Sequence, residues 1–252
     1  MITEKTIASI FSGFWGEALP LLTPSFVRIF NEAYCDDLVN IPSSKFVNIE
    51  ISSEVEKHDL VAEFAFCVAE TVLNSGVTIA DLVADKKLFY DTYRRAVTFL
   101  KRYQSDDYAI ALNKHEILET LKIAEQYGRF FEYLKMTSDQ IIFRPHLNGS
   151  GFLGPCTADL SVDDTLYEIK TVTRNISGKD IRQVLIYLFL KSSASNKLWT
   201  YAGFFNPRKA YHYRFSVDHL ILRTSGGRSK SEFYEMLERF LAERWIEIDT
   251  VF

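Results

Sequence analysis

The chain is short of cysteine, of long uncharged apolar runs and of net positive charge, and each shortage removes a class of protein. Its three cysteines, Cys35, Cys67 and Cys156, lie far apart with no CxxC pair. That excludes a disulfide framework and a thiolate zinc site, and leaves reduced, mostly buried thiols as the expectation. No stretch approaches the roughly eighteen uncharged apolar residues of a membrane span. The opening "MITEKTIASIFSGFWGE" has no basic segment, no long apolar core and no small-residue cleavage site, so a cytoplasmic protein without membrane contact is expected. A net charge of −4 and a pI near 5.8 argue against coating nucleic acid by bulk electrostatics, while leaving room for a local basic groove. Repeats and low-complexity tracts are absent. "TSGGRSKS" at 224–231 lacks the G-x4-G-K-[ST] spacing of a phosphate-binding loop and reads as a mobile loop able to contact DNA.

What is there is enough to fold. Of 252 residues, 47% are hydrophobic and 14% aromatic, which suits one large domain or two small ones. Residues 1–110 read mainly helical, with three- and four-residue apolar spacing over 58–76, which Gly76 ends, and over 79–103; a loop covers 40–54 with a short strand at 46–51. From 111 to 252 the pattern changes to a second region. A long helix carries Ile117, Leu121, Ala124 and Phe131 on one side, and strands follow at 140–147 and in a hairpin over 157–172. A helix opens at Ser177, whose spacing to Asp180 resembles a capping box. An apolar strand at 198–205, read as core, then a strand at 210–217 and a helix over 230–245 complete the order. From 111 it is α, β, β, β, α, β, which implies a right-handed crossover onto a mixed sheet.

The hairpin "TADLSVDDTLYEIKT" carries the chemistry. A turn centred on Asp163 and Asp164 sets Val162 opposite Thr165 and Leu160 opposite Tyr167. Continuing that register sets Asp159 opposite Glu168. Alternation gathers Ala158, Leu160, Val162, Tyr167 and Ile169 on an apolar face and Asp159, Glu168 and Lys170 on the other. Like charges facing each other across a strand pair are unfavourable, and a cation between them reverses the sign. On the next helix Asp180, Gln183, Tyr187 and Lys191 form one polar stripe among apolar residues, and the acidic hairpin face is its candidate partner.

Alone, D-x8-E-x-K is what a solvated hairpin face carries. Together with the register, the Q-x3-Y stripe and the element order, it resembles the PD-(D/E)XK nuclease superfamily over roughly residues 111–206. The string "GPCTADLSVDDTLYEIKTVTRNISGKDIRQVLIYLFL" looks most like bacterial members from defence or mobile-element settings. The proline of the motif is not literal here: Ala158 precedes Asp159, and Pro155 stands four residues before it.

The resemblance implies a restriction endonuclease-like αβββαβ core with a mixed central sheet beside an α-helical N-terminal region that recognises a partner or gates the cleft. It implies a Mg²⁺-dependent deoxyribonuclease, with Mn²⁺ able to substitute, acting on DNA and possessing a role in defence against foreign DNA. Asp159, Glu168 and the Ile169 carbonyl would hold the metal, and Lys170 would orient or deprotonate the attacking water. Gln183 and Tyr187 would position that water or the scissile strand, and Arg174 or Arg182 would contact phosphate. A helix glutamate, Glu125 with Glu132 as fallback, would supply further acid. His146 reads as a structural loop residue. A partner protein of a multi-component system and a homodimer fit the same setting. The alternatives are a catalytically silent nuclease-fold subunit that binds nucleic acid or scaffolds a complex, and an RNA-cleaving member of the superfamily.

Overall fold

The structure, a computed structural model, describes residues 1–42, 44–101, 111–136, 140–194 and 198–249. Helices α1 (Glu4–Ile10), α2 (Ser12–Ala18) and α3 (Pro24–Ala33) open the chain, followed by strand β1 (Cys35–Asp37). Next come α4 (His58–Ser75), α5 (Ile79–Ala84), α6 (Lys86–Leu100) and α7 (Lys114–Leu134). Strands β2 (Ile141–Phe143), β3 (His146–Leu147), β4 (Cys156–Thr157), β5 (Leu160–Val162) and β6 (Thr165–Ile169) lead into α8 (Gly178–Ala194). β7 (Tyr201–Asn206), β8 (Tyr211–Ser216), α9 (Val217–Thr224) and α10 (Lys230–Asp249) complete the described chain.

The protein is mixed α/β. Six strands form one mixed sheet in the order β1-β8-β7-β6-β5-β2, in which β6 and β7 are parallel and the other neighbours antiparallel. Side chains alternate across the sheet and feed two cores. Leu166, Ala202 and Phe204 face Ile181, Val184 and Leu185 of α8, with Ile7 and Trp15 from α1 and α2 and Phe233 from α10 in the same core. On the other face Leu160, Tyr167 and Phe205 pack with Phe64 of α4 and Ile123 and Phe130 of α7, and the rings of Phe130 and Phe205 stack at 3.9 Å. Each fully buried side chain of this size stabilises the fold by about 1.5–3 kcal/mol. Both cores contain side chains from each side of residue 110.

Several expectations are met closely. Gly76 ends α4 in the left-handed region, its N–H bonded to Val72, and the β5–β6 ladder pairs Val162 with Thr165 and Leu160 with Tyr167. Asp163 takes the positive φ of the turn, which aspartate tolerates.

Others need correction. No strand forms over 46–51, where Phe46 and Ile49 are instead buried into the core beside α7. The helix expected over 79–103 breaks at Asp85, whose carboxylate caps α6 through the Lys87 and Leu88 N–H groups; residues 102 and 103 lie outside the described chain. The strand expected over 140–147 splits at Arg144, which has a φ of 51°, and β3 pairs with β4 in a small separate sheet. Helix α9 follows β8 where only a connection was expected.

The buried face of α7 runs through Glu116, Ile123, Tyr127 and Phe130 and takes in the expected Ala124 and Phe131, leaving Ile117 and Leu121 half-buried. Its acids are tolerated because each has partners. Glu116 accepts the N–H groups of Asn113, Glu56 and Lys57, and Glu119 pairs with Arg208 at 2.5 Å.

Candidate functional site

β6 lies inside the sheet between β5 and β7, so its last residues are presented where α8 begins. Glu168 is 3% exposed. Its Oε1 receives the Lys170 ammonium at 2.7 Å, and its Oε2 is buried with no hydrogen-bond partner. Lys170 also donates to Gln183 Oε1 at 3.0 Å and lies 3.4 Å from Asp180. Gln183 in turn donates to the Tyr187 hydroxyl at 2.8 Å, one helical turn along α8. The stripe read from the sequence therefore faces Glu168 through Asp180, Gln183 and Tyr187. Lys191 leaves it, seated 5.1 Å from the ring centre of Trp199.

The ladder ends one pair short of Asp159. There the chain bends, the Asp159 carbonyl accepts the Arg144 N–H at 2.8 Å, and the carboxylate accepts the Ile169 N–H at 2.8 Å. This bend redirects Ala158 into the core on the α8 side, away from the Leu160 and Tyr167 face assigned to it by alternation. Asp159 stays close enough for its charge to be felt at Glu168 and Tyr187. Ile169 enters through its N–H.

Electrostatics follow from this packing. Burial raises the Glu168 pKa, the Asp159 charge adds to the rise, and the Lys170 ammonium opposes it. For Lys170, burial alone favours the neutral amine, but the carboxylates of Glu168 and Asp180 outweigh it and hold the pKa above the ordinary lysine value. Burial also works against the Asp180 carboxylate, yet Arg174, Lys170 and the Ser177 donors bring it down to about 2. Arg174 grips both Asp180 oxygens, at 2.5 and 3.0 Å, and the Ser177 N–H and hydroxyl donate to Oδ2 at 2.8 and 2.7 Å, the first of these being one half of the expected capping box.

Two acids that sequence reasoning missed complete the surroundings. Glu4 of α1 is 9% exposed and accepts from the Tyr187 hydroxyl at 3.3 Å, which stays protonated because burial raises its pKa well above the phenol range. Glu63 of α4 pairs with Arg144, whose guanidinium lies 3.9 Å from the Phe99 ring centre and whose N–H anchors Asp159. Only a burial pattern in the N-terminal helices could have signalled either one. Glu125, the expected helix acid, is instead on the outer surface of α7, half exposed and paired with Arg129 at 3.1 Å; Glu132 is exposed as well. His146 is exposed on β3.

The basic residues near the motif are divided in the same way. Arg208 is held in its buried pair with Glu119, and Arg214 stacks 3.6 Å from the Tyr201 ring centre. Arg182 bonds to the Ala8 carbonyl at 3.3 Å, and its Nε is buried without a partner.

Among the described residues, no three His, Cys, Asp or Glu side chains converge as a ready-made metal cage. A hard cation that keeps most of its waters needs only one or two carboxylates, and the unpartnered Glu168 Oε2 fits that donor set. Comparison of the chain with protein-family models, with curated proteins and with solved structures finds no match.

Proposed function

We propose that the protein is a metal-dependent nuclease of the PD-(D/E)XK type that hydrolyses DNA phosphodiester bonds. The observation that carries this reading is the joined set of Glu168, Lys170, Gln183 and Tyr187, in which one buried Glu168 oxygen has no partner. A buried carboxylate oxygen left unmet is costly, and a bound cation removes that cost. The order α7, β2, β5, β6, α8, β7 around a mixed sheet supports the restriction endonuclease-like core.

Asp159 and Glu168 would hold Mg²⁺ or Mn²⁺. When bound, the metal supplies Lewis-acid polarisation of a phosphoryl oxygen and a more acidic water. The residues around it do the positioning. Asp159 is fixed by the Ile169 N–H, and Lys170 is fixed by Gln183. Lys170, held among Glu168, Asp180 and Gln183, would orient or deprotonate the attacking water and offset negative charge on the phosphate. Tyr187 and Glu4 hold Gln183 from behind. A setting in defence against foreign DNA, with a partner protein, is part of the same proposal.

The test is cleavage of supercoiled plasmid, linear duplex and single-stranded DNA with Mg²⁺, Mn²⁺ or EDTA, comparing wild type with Glu168→Ala and Lys170→Ala. Metal-dependent cutting that both substitutions abolish is the expected result. A second reading, a silent nuclease-fold subunit that binds nucleic acid, is favoured by the pairing of one Glu168 oxygen with Lys170 and of the Asp159 carboxylate with the Ile169 N–H, which already occupies part of the donor set. It requires folded protein that binds DNA equally well with and without metal, and equally well as Asp159→Ala.

A further inference from the structure

Resting on the nuclease reading, we infer that the open cleft beside the carboxylates holds an unpaired polynucleotide strand, its phosphates on a set of cations and its sugars and bases on an apolar lining. The cleft has a volume of about 990 Å³ and runs between α1, the start of α3 and the start of α8. Lys5, Lys170, Arg174, Lys179 and Arg182 line it, against the single carboxylate of Asp180 among the described lining residues. Lys170 and Arg174 are already paired with Glu168 and Asp180, so the local excess is that of Lys5, Lys179 and Arg182, which in a chain of net charge −4 runs against the average.

Lys5 and Lys179 are exposed, and neither has an ion-pair partner within salt-bridge distance among the described residues. Both are therefore free for phosphate. Leu22, Pro24, Val27 and Ile176 make up an apolar part of the lining. A duplex turns its base faces inward and offers phosphate and sugar outward, so this apolar surface finds a counterpart in the bases of an unpaired strand. Lys170 and Gln183 belong both to the cleft and to the Glu168 set, so a backbone held along the cations leads directly to the carboxylates. In this arrangement the N-terminal helices form a wall of the substrate cleft.

The experiment is fluorescence anisotropy of a labelled single-stranded DNA, its duplex and the same strand as RNA, in EDTA, with the full chain. Wild type is compared with Lys5→Glu/Lys179→Glu and with Lys86→Glu/Lys87→Glu, which makes the same charge change at exposed positions of α6. The expected result is single-strand binding at least tenfold tighter than duplex binding. That binding falls tenfold or more in the first variant, with a salt slope flatter by about 1.4, and is unchanged within twofold in the second. Tighter binding of the RNA strand supports the same cleft with RNA as its source of backbone. Duplex binding as tight as single-strand binding, or equal losses in both variants, overturns the inference. A wild type that cuts duplex while failing these criteria leaves the nuclease reading standing; one that neither binds nor cuts any polynucleotide removes both.

Discussion

Lys170 and Glu168 form a buried ion pair, 2.7 Å from nitrogen to oxygen, in which the lysine is fully engaged and the glutamate keeps one oxygen unmet. Two charges withdrawn from water hold each other in place, and removing either leaves the other exposed to the full cost of burial.

Lys170→Met is therefore expected to destabilise the fold by about 3 kcal/mol, because Glu168 and Asp180 lose their shared cation. Glu168→Gln in the same chain should recover part of that loss. Urea denaturation of the two single variants and the double one gives the coupling, and strict additivity would contradict the pairing.

Acid should act on Asp180. Its pKa falls from 3.8 to about 2 on folding. A depressed carboxylate contributes stability that is present above the unfolded pKa and is lost as pH falls through the folded one. About 2 kcal/mol is then expected to disappear between about pH 4 and pH 2. Asp180→Asn should flatten that window in denaturation curves measured across it, and an unchanged slope would rule the assignment out.

Glu4→Leu removes the acceptor of the buried Tyr187 hydroxyl. A loss of about 1–2 kcal/mol in stability is expected. Cleavage should fall about tenfold, the usual effect of losing a group that orients a catalytic neighbour. Glu4→Gln keeps an acceptor and should restore both. The comparison of kcat with unfolding free energy separates positioning from simple stability.

Metal binding should be visible without activity. At a hundredfold excess over its Kd, Mn²⁺ is expected to stabilise the protein by about 2.7 kcal/mol. EDTA should reverse the accompanying rise in Tm, and Asp159→Ala and Glu168→Ala should lack it. A rise of equal size in all three proteins would place the metal elsewhere.

Gly203 in β7 has no room for a side chain: a Cβ there would lie 2.2 Å from the Tyr213 carbonyl oxygen and 2.5 Å from the Tyr167 ring. Gly203→Ala is expected to cost about 3 kcal/mol, the upper end of the usual overpacking cost, since both neighbours are core residues of the sheet. Thermal unfolding measures it, and a loss below about 1 kcal/mol would mean that the sheet yields at this point.

Much of the site could be read along the chain because its parts are local. The pairing of Leu160 with Tyr167 follows from the turn at Asp163, and the contact of Gln183 with Tyr187 follows from helical spacing. Strand alternation stops at Ala158, because the Asp159 bend and its bond to Arg144 end the strand there. Along α7 the expected apolar side is met at Ala124 and Phe131, which are buried, while the paired acids Glu116 and Glu119 rotate the buried face away from Ile117 and Leu121 in the first turns.

The sequence by itself determined the hairpin, the polar stripe of α8 and the meeting of Glu168 with Lys170, since turn geometry and helical period act over a few residues. Only the tertiary structure decided that Glu4, separated by 183 positions from Tyr187, closes the polar chain, that Glu125 points outward, and that α1 and α3 line the cleft with α8. The physical reason is that packing across such distances is chosen by how whole apolar faces are buried together, and polar groups follow wherever that burial carries them.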